Sequence, residues 1–94
     1  MLVFVAYDIS ENKSRSGLIK KLQHFGLHRM QKSLFAGNLN LEERFDLNED
    51  MDMYLSSKKD SIIVMPICKS CKSSIIQFSD IPVSLPEKKD FEFI

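Results

Sequence analysis

The sequence predicts a small α+β domain in which helices cover one face of an antiparallel sheet. Three observations lead to this fold class. Residues 2–8 form an apolar run that ends in an acid, residues 18–25 carry apolar side chains at helical spacing, and residues 28–36 alternate. An uninterrupted apolar run is typical of a central strand, whereas alternation is typical of a strand with one buried face.

The first strand ends in Asp8, which packing alone does not explain. A carboxylate at the end of a rigid strand has a fixed backbone while its side chain meets solvent. That position suits the binding of a metal ion or a water. The ordinary alternative is that Asp8 caps the segment that follows it.

A polar loop leads into the clearest helix of the sequence. Ser10 and Asn12 are its candidate N-caps, and Gly26 stands where a C-cap glycine would. Its apolar face comprises Leu18, Ile19, Leu22 and Phe25. Its exposed face comprises Lys13, Arg15, Lys20 and His24. The basic character of this helix is therefore expected on the surface.

Residues 28–36 are predicted to form one strand, which Gly37 and Asn38 end. One face carries Met30, Leu34 and Ala36, and the other carries Arg29, Gln31, Ser33 and Phe35. Asn40 and Glu43 then match a capping box. A weaker apolar stripe of Leu41, Phe45 and Leu55 predicts a second helix to about residue 56. Its carboxylates have mixed spacings, more typical of a solvated face than of a metal cluster.

Residues 61–65 are predicted to be a further central strand, which Pro66 ends. Residues 68–73 form a turn, and residues 74–78 another strand. An extended connector from residue 79 contains Pro82 and Pro86, and residues 91–94 alternate like a short final strand.

We assign the chain to the ferredoxin-like split βαβ fold, whose order is β-α-β-β-α-β, here with an extra carboxyl-terminal strand. Its sheet has both helices on one face. We expect Val3, Val5, Tyr7 and Phe35 on the bare face, where they would favour pairing with a second copy of the chain. The final strand would add either to the partner's sheet or to its own edge.

Length and composition indicate a single domain spanning residues 1–94. Thirteen Lys and Arg balance thirteen Asp and Glu. Six bases and no acid lie between Lys13 and Lys32, whereas seven acids and three bases lie between Glu42 and Asp60. The basic segment is either an anion-binding patch or a solvated face. The amino terminus does not resemble a signal peptide, and no apolar run is long enough to span a membrane, so we expect a cytosolic protein.

Cys68 and Cys71 form a C-x-x-C motif. A structural zinc site needs four ligands, and only His24 and His28 remain as distant partners. A redox pair is expected near a helix start in a βαβ unit, which the sequence does not indicate here. We therefore predict two reduced, partly buried thiols in a tight turn.

Three stretches together resemble the small dimeric CRISPR-associated adaptation protein, the non-integrase partner of the spacer-acquisition pair. They are Val5-Ala-Tyr-Asp-Ile-Ser with Asn12-Lys-Ser-Arg15, then Gly26-Leu-His-Arg-Met-Gln-Lys-Ser-Leu-Phe-Ala-Gly37, and Asp60-Ser-Ile-Ile-Val-Met-Pro-Ile-Cys with a Phe-Ile carboxyl end. They follow the family's order and spacing over most of the chain. One departure is Ser16-Gly17, where many members carry a further base.

The resemblance implies a ferredoxin-like homodimer in which Asp8 faces its symmetry mate and both bind a divalent metal, usually magnesium. It implies cleavage of phosphodiester bonds in RNA or DNA. The metal would lower the pKa of a water and offset phosphoryl charge. Residues that match emphasised family positions are Tyr7, Asp8, Arg15, Arg29, Ser33 and Phe35. The arginines would contact phosphate, Ser33 would hydrogen bond a phosphate or bound water, and Phe35 would pack at the dimer interface.

Ordinary alternatives exist for each residue: Arg29 as an edge solubiliser, Ser33 as a polar strand residue, and Tyr7 and Phe35 as core. No general base is evident beside His24 or His28. Two functions follow. One is a metal-dependent endonuclease, and the other is a scaffold that bridges integrase dimers along duplex DNA through Lys13, Arg15, Lys20, Lys21 and the carboxyl-terminal strand. A ligand-binding regulatory module is the third possibility, although the three glycines are not clustered.

Overall fold

The computed structural model describes residues 1–80 of the 94-residue chain and shows a four-stranded antiparallel sheet in the order β2-β3-β1-β4. The strands are β1 (Leu2–Asp8), β2 (His28–Gln31), β3 (Leu34–Asn38) and β4 (Ser61–Ile67). The helices are α1 (Asn12–His24), α2 (Leu41–Asn48), a 3-10 helix (Met51–Tyr54) and the one-turn α3 (Lys69–Lys72). This α+β arrangement confirms the ferredoxin-like fold class.

The first strand and first helix agree closely with the sequence pattern. β1 is a central strand between β3 and β4. Leu18 and Leu22 of α1 are buried, and Gly26 ends the helix with a φ of 84°. The predicted N-caps are wrong, since Glu11 holds that position and makes no side-chain cap hydrogen bond. The helix is thus stabilised by its buried face rather than by a cap.

The strand predicted over 28–36 is two strands. β2 and β3 pair as an antiparallel hairpin around a turn at Lys32 and Ser33, with a register irregularity between Arg29 and Gln31. Gly37 and Asn38 belong to β3 rather than ending it. This split supplies the second and third strands of the β-α-β-β-α-β order.

The two faces of the sheet are opposite to those we expected. Val3, Val5 and Tyr7 point towards α1 and form the core, and Phe35 is buried with them at 1% exposure. Because side chains alternate along a strand, the other face carries Phe4, Ala6, Asp8, Leu34, Ile63 and Met65. We call these six residues the helix-free face. The core alternative for Tyr7 and Phe35 is confirmed, and Phe35 lies on the helix side of the sheet rather than on the helix-free face.

The second helix is shorter than predicted and turns a different side to the core. The capping box of Asn40 and Glu43 is confirmed. However, α2 ends at Asn48, and the stripe residues Leu41 and Phe45 are 64% and 70% exposed. Leu47 and Met51 are buried instead. Both pairs are four residues apart, so helical spacing alone could not decide which pair faces the sheet.

β4 extends to Ile67 and, among the strands formed by residues 1–80, lies at the edge of the sheet rather than at its centre. Pro66 pairs with Val3 inside the strand, which an edge position tolerates because one side of an edge strand needs no ladder partner. The strand predicted over 74–78 does not form. Ile75–Ser79 instead lines a cleft with Phe4 and Leu34 of the helix-free face. The final strand over 91–94 and most of the connector lie outside the described residues.

Within residues 1–80, no helix is long and apolar enough to cross a membrane.

Candidate functional site

Asp8 is an exposed carboxylate at the end of the central strand. Its backbone pairs with Ser61 of β4, and its neighbour Tyr7 is buried in the core. Alternation along β1 places the Asp8 side chain on the helix-free face. Within residues 1–80, no hydrogen bond or ion pair engages its carboxylate. The side chain is therefore open to solvent on a rigidly held backbone, and Asp8 does not cap α1.

The loop that follows Asp8 is fastened by Asp60, a residue to which the sequence analysis assigned no role. One oxygen of Asp60 accepts hydrogen bonds from the Ser10 amide at 3.0 Å and the Ser10 hydroxyl at 2.8 Å. The other accepts from the amides of Ser56 and Ser57 at 2.7 and 3.1 Å, and from the Ser56 hydroxyl. These bonds, led by that of the Ser56 hydroxyl, hold the pKa of Asp60 far below its ordinary value.

A sequence signal for Asp60 existed. An aspartate three or four residues after two serines, directly before a strand, is a common side-chain-to-backbone motif. The motif could have predicted the local turn over residues 56–60. It could not have predicted the bond to Ser10, which is 50 positions away in the chain.

Arg15 fixes the same loop from the first turn of α1. Its guanidinium donates to the main-chain oxygen of Ile9 at 2.7 Å and to the side chain of Asn12. Arg15 is half-buried. A guanidinium has five N–H donors, so these two contacts leave others for a further ligand. Arg15 thus lies near Asp8, and its observed contacts stabilise the loop that follows Asp8.

Tyr7 ties the β2–β3 turn to the end of β1. Its amide donates to the Ser33 oxygen at 3.1 Å, and its hydroxyl donates to the Lys32 oxygen at 3.3 Å. Ser33 is half-buried in that turn. The turn therefore lies beside the carboxyl end of β1, one residue from Asp8.

Arg29 and Phe35 lie on the helix side of the sheet. They are paired across β2 and β3, and the guanidinium carbon lies 5.3 Å from the centre of the Phe35 ring. The Tyr7 and Phe35 rings are 6.2 Å apart. Arg29 is exposed. Its side chain lies on the helix side of the sheet, whereas the Asp8 side chain lies on the opposite face. The structure thus separates Arg29 from the helix-free face.

The three lysines predicted on α1 differ in their surroundings. Lys13 and Lys20 are exposed. The Lys21 ammonium instead donates to the main-chain oxygen of Glu49 at 2.5 Å and lies 5.7 Å from the centre of the Tyr54 ring. Lys21 therefore stabilises the packing of α1 against the 3-10 helix, whereas the other two present their charge to solvent.

The Ser16-Gly17 departure has a packing reason. A Cβ atom on Gly17 would lie 3.2 Å from the Tyr54 ring. A long basic side chain at that position would have to displace the ring. The missing base is thus linked to the close approach of α1 and the 3-10 helix.

Cys68 and Cys71 are both exposed, so the predicted partial burial is wrong. Cys68 directly precedes α3, and its sulfur accepts a hydrogen bond from the Cys71 amide at 3.4 Å. The Ser70 hydroxyl lies 3.3 Å from the same sulfur. The motif therefore begins a helical turn at the end of β4, far along the sheet from Asp8.

Comparison with known proteins points to one family. A family model described as CRISPR associated protein Cas2 matches residues 1–75. A protein of Archaeoglobus fulgidus named CRISPR-associated endoribonuclease Cas2 1 is 39% identical over 94 residues, which are 100% of both chains. A protein of Pyrobaculum aerophilum named CRISPR-associated endoribonuclease Cas2 2 is 28% identical over 92 residues, 98% of each chain.

Solved structures share the fold. A hypothetical protein from Thermus thermophilus superposes with a TM-score of 0.67 at 29% identity, covering 92% of this chain and 96% of that one. Streptococcus pyogenes Cas2 superposes with a TM-score of 0.57 at 24% identity, covering 84% of this chain and 100% of that one. The second likeness supports the fold alone.

Proposed function

Because this chain belongs to the family of the CRISPR-associated protein Cas2, we propose that it acts in CRISPR adaptation as a homodimer with metal-dependent endonuclease activity. Single-stranded RNA is the substrate we propose first, and DNA the second. The relatives named endoribonuclease support nuclease activity at the level of the family. The observation that carries the proposal for this chain is the exposed Asp8 carboxylate at the end of the central strand.

Magnesium fits Asp8 when a second copy of the chain contributes the same residue. Within residues 1–80, no three His, Cys, Asp or Glu side chains cluster as a metal site. Magnesium keeps several waters and needs only one or two carboxylates beside substrate phosphate. Two Asp8 side chains on facing copies are therefore a sufficient donor set. The bound ion would supply a water of lowered pKa and offset charge on the phosphoryl oxygens.

The helix-free face supports such a pairing. Its Ile63 is 54% exposed, and the adjoining segment leaves Ile76 and Phe78 74% and 92% exposed. Contiguous exposed apolar side chains are typical of an interface. A second copy packed on this face would cover these side chains. The Asp8 side chains of the two copies would then both lie on the faces that meet.

The loops around Asp8 supply positioning and phosphate contacts. Tyr7 fixes the turn that carries Ser33, and we assign the Ser33 hydroxyl as a hydrogen-bond donor to phosphate. Arg15 holds the loop after Asp8 and retains N–H donors beyond those it uses there. We assign these donors to charge-assisted contacts with the nucleic acid backbone near Asp8, and the exposed Arg29, on the other face of the sheet, to a backbone contact away from it.

Asp8→Asn tests the nuclease. We expect magnesium-dependent cleavage of single-stranded RNA to fall at least about 100-fold, since several kcal/mol of charge stabilisation depend on the ion. Sedimentation should show an unchanged dimer. Asp46→Asn removes another exposed acid, on α2, and should leave cleavage intact. If Asp8→Asn cleaved RNA as fast as the unmodified chain, the proposed site would be wrong.

A second candidate is a non-catalytic scaffold that bridges integrase dimers and binds duplex DNA. The observation that favours it is the exposed pair Lys13 and Lys20, which are two helical turns apart on one side of α1. Each copy contributes one carboxylate, Asp8, to the proposed site. This is few for a nuclease and therefore also favours the scaffold. Such a stripe suits contacts with successive phosphates and carries no sequence preference.

Lys20→Ala tests the scaffold. We expect weaker binding of duplex DNA and a log–log salt slope reduced by about 0.9 for the lost phosphate contact. Lys69→Ala removes an exposed charge on α3, outside the α1 surface, and should leave the slope unchanged. In cells, loss of spacer acquisition by Asp8→Asn with integrase binding intact would rule out pure scaffolding.

A further inference from the structure

We propose that Cys68 and Cys71 form a redox-active dithiol, which closes to an intramolecular disulfide by exchange with a low-molecular-weight disulfide. This modification site is separate from the proposed nuclease. Cys68 follows Ile67, which pairs with Leu2, whereas Asp8 pairs with Ser61 at the opposite end of β4. Six residues of strand at roughly 3.3 Å each separate the two ends by about 20 Å.

The geometry of the motif brings the two thiols together. Cys68 has extended backbone angles and stands just before α3, and Cys71 lies inside that turn. The Cys71 amide donates a hydrogen bond to the Cys68 sulfur at 3.4 Å, so the two residues are in contact across the turn. Both side chains are exposed, so a small disulfide reaches them without local unfolding. Two cysteines in contact on one tight turn need little movement to reach bonding geometry.

The surroundings distinguish the two thiols. Hydrogen bonds from the Ser70 hydroxyl first, and from the Cys71 amide and thiol next, lower the pKa of Cys68 to about 7. The bond to Cys68 and the charge of Cys68 raise the pKa of Cys71. At neutral pH, Cys68 is therefore the attacking thiolate and Cys71 the resolving thiol.

The exchange balances as a two-electron transfer. The Cys68 thiolate attacks one sulfur of a disulfide such as glutathione disulfide, forms a mixed disulfide and releases one glutathione thiolate. Cys71 then loses its proton and attacks the Cys68 sulfur, which expels the second glutathione. The protein loses two hydrogens, and the glutathione disulfide is reduced to two thiols that take up both protons.

The test uses the full chain, which contains only these two cysteines. The reduced protein is equilibrated with mixtures of oxidised and reduced glutathione, alkylated with iodoacetamide and weighed by intact mass spectrometry. We expect the chain to lose two hydrogens and take up no label at the oxidising end. Cys71→Ser should stop at the mixed disulfide with glutathione.

A pH series tests the assignment of roles. Cys68 in Cys71→Ser should react with iodoacetamide at pH 7 about tenfold faster than Cys71 in Cys68→Ser, because much more of it is thiolate. Ser70→Ala should move the Cys68 profile to higher pH. Equal rates for the two thiols would contradict the proposal.

Three further outcomes would overturn it. One is two labels per chain across the whole glutathione series. The second is a disulfide that links two chains on non-reducing electrophoresis. The third is one zinc ion retained per reduced chain and lost in Cys68→Ser, which would make the pair a metal ligand instead.

Discussion

At the scale of single residues, Asp8 and Asp60 carry the same group in opposite surroundings. Asp60 accepts hydrogen bonds from Ser10, Ser56 and Ser57, whereas the Asp8 carboxylate meets solvent. A carboxylate whose lone pairs are already filled is a poor ligand, and one with open lone pairs is a good one. Asp60 therefore positions the loop beside the site, and Asp8 is the residue available to bind.

Asp60→Asn should destabilise the fold and make it less sensitive to acid. The lowered pKa of Asp60 means that its ionised form is bound in the folded state. Its contribution to stability is full above its ordinary pKa of 3.8 and falls as the pH decreases below that value. The difference in Tm between the unmodified chain and Asp60→Asn should thus be largest near neutral pH and narrow below about pH 4.

Asp46→Asn is the control for Asp60→Asn, because its carboxylate is exposed on α2. It should leave the Tm and its pH dependence close to those of the unmodified chain. A Tm difference for Asp60→Asn that stayed constant from pH 7 to about pH 3 would exclude ionisation of Asp60 as the cause.

At the scale of elements, Gly37 decides how closely β3 approaches the connection after α1. A Cβ atom at Gly37 would lie 3.0 Å from the Leu27 Cα and 3.1 Å from the Gly26 oxygen, both backbone atoms. Backbone cannot rotate away as a side chain can. Gly37→Ala should therefore cost about 1–3 kcal/mol and lower the Tm by about 4–8 °C for each kcal/mol, measured by calorimetry.

Gly17→Ala is the matched control for Gly37→Ala. Its Cβ atom would meet only the Tyr54 ring, at 3.2 Å. The ring belongs to a half-buried side chain, which can rotate where backbone cannot, and alanine is favoured over glycine in a helix by about 1 kcal/mol. Its Tm should stay near that of the unmodified chain. Equal losses in both variants would mean that contact with backbone is not the cause.

The sequence pattern predicted β1, α1 and the capping box of α2, because each local pattern there is compatible with only one structure. It missed the β2–β3 hairpin, since Lys32 and Ser33 lack the glycine or asparagine that marks most tight turns. It also assigned a strand to residues 74–78, which follow α3 and pair with neither β2 nor β4, the edge strands formed by residues 1–80. A strand needs a partner, and composition does not supply one.

The candidate site was predictable in identity but not in orientation. The end of an apolar run indicated Asp8 from the sequence, and its exposure is as expected. Alternation shows which residues share a face, but it does not show which face the helices cover. For that reason Val3, Val5 and Tyr7 were placed on the wrong side, and the loop contacts of Asp60 and Lys21 required the tertiary structure.

At the scale of the whole molecule, the two faces of the sheet are covered to different extents. One face is closed by α1 and the core, while the other leaves Ile63 54% exposed and carries a cleft lined by Phe4, Leu34 and Ile75–Ser79. A small domain gains much of its buried area by pairing such a face. We therefore expect a symmetric dimer through the helix-free face, with the Asp8 side chains on the shared side.

Ile63→Lys tests that interface against Phe45→Lys. Burying one Ile side chain is worth about 1.5–3 kcal/mol, and the symmetric dimer buries it in both copies, so a charge at Ile63 should convert the chain to a monomer in analytical ultracentrifugation. Phe45 is more exposed, at 70%, but it lies on α2 in the other layer, so Phe45→Lys should remain dimeric. Because the proposed metal site needs the Asp8 side chains of both copies, Ile63→Lys should also lose magnesium-dependent cleavage while its circular dichroism stays native. The reverse pattern, with Phe45→Lys monomeric and Ile63→Lys dimeric, would place the interface on the helical layer and leave each Asp8 without its symmetry mate.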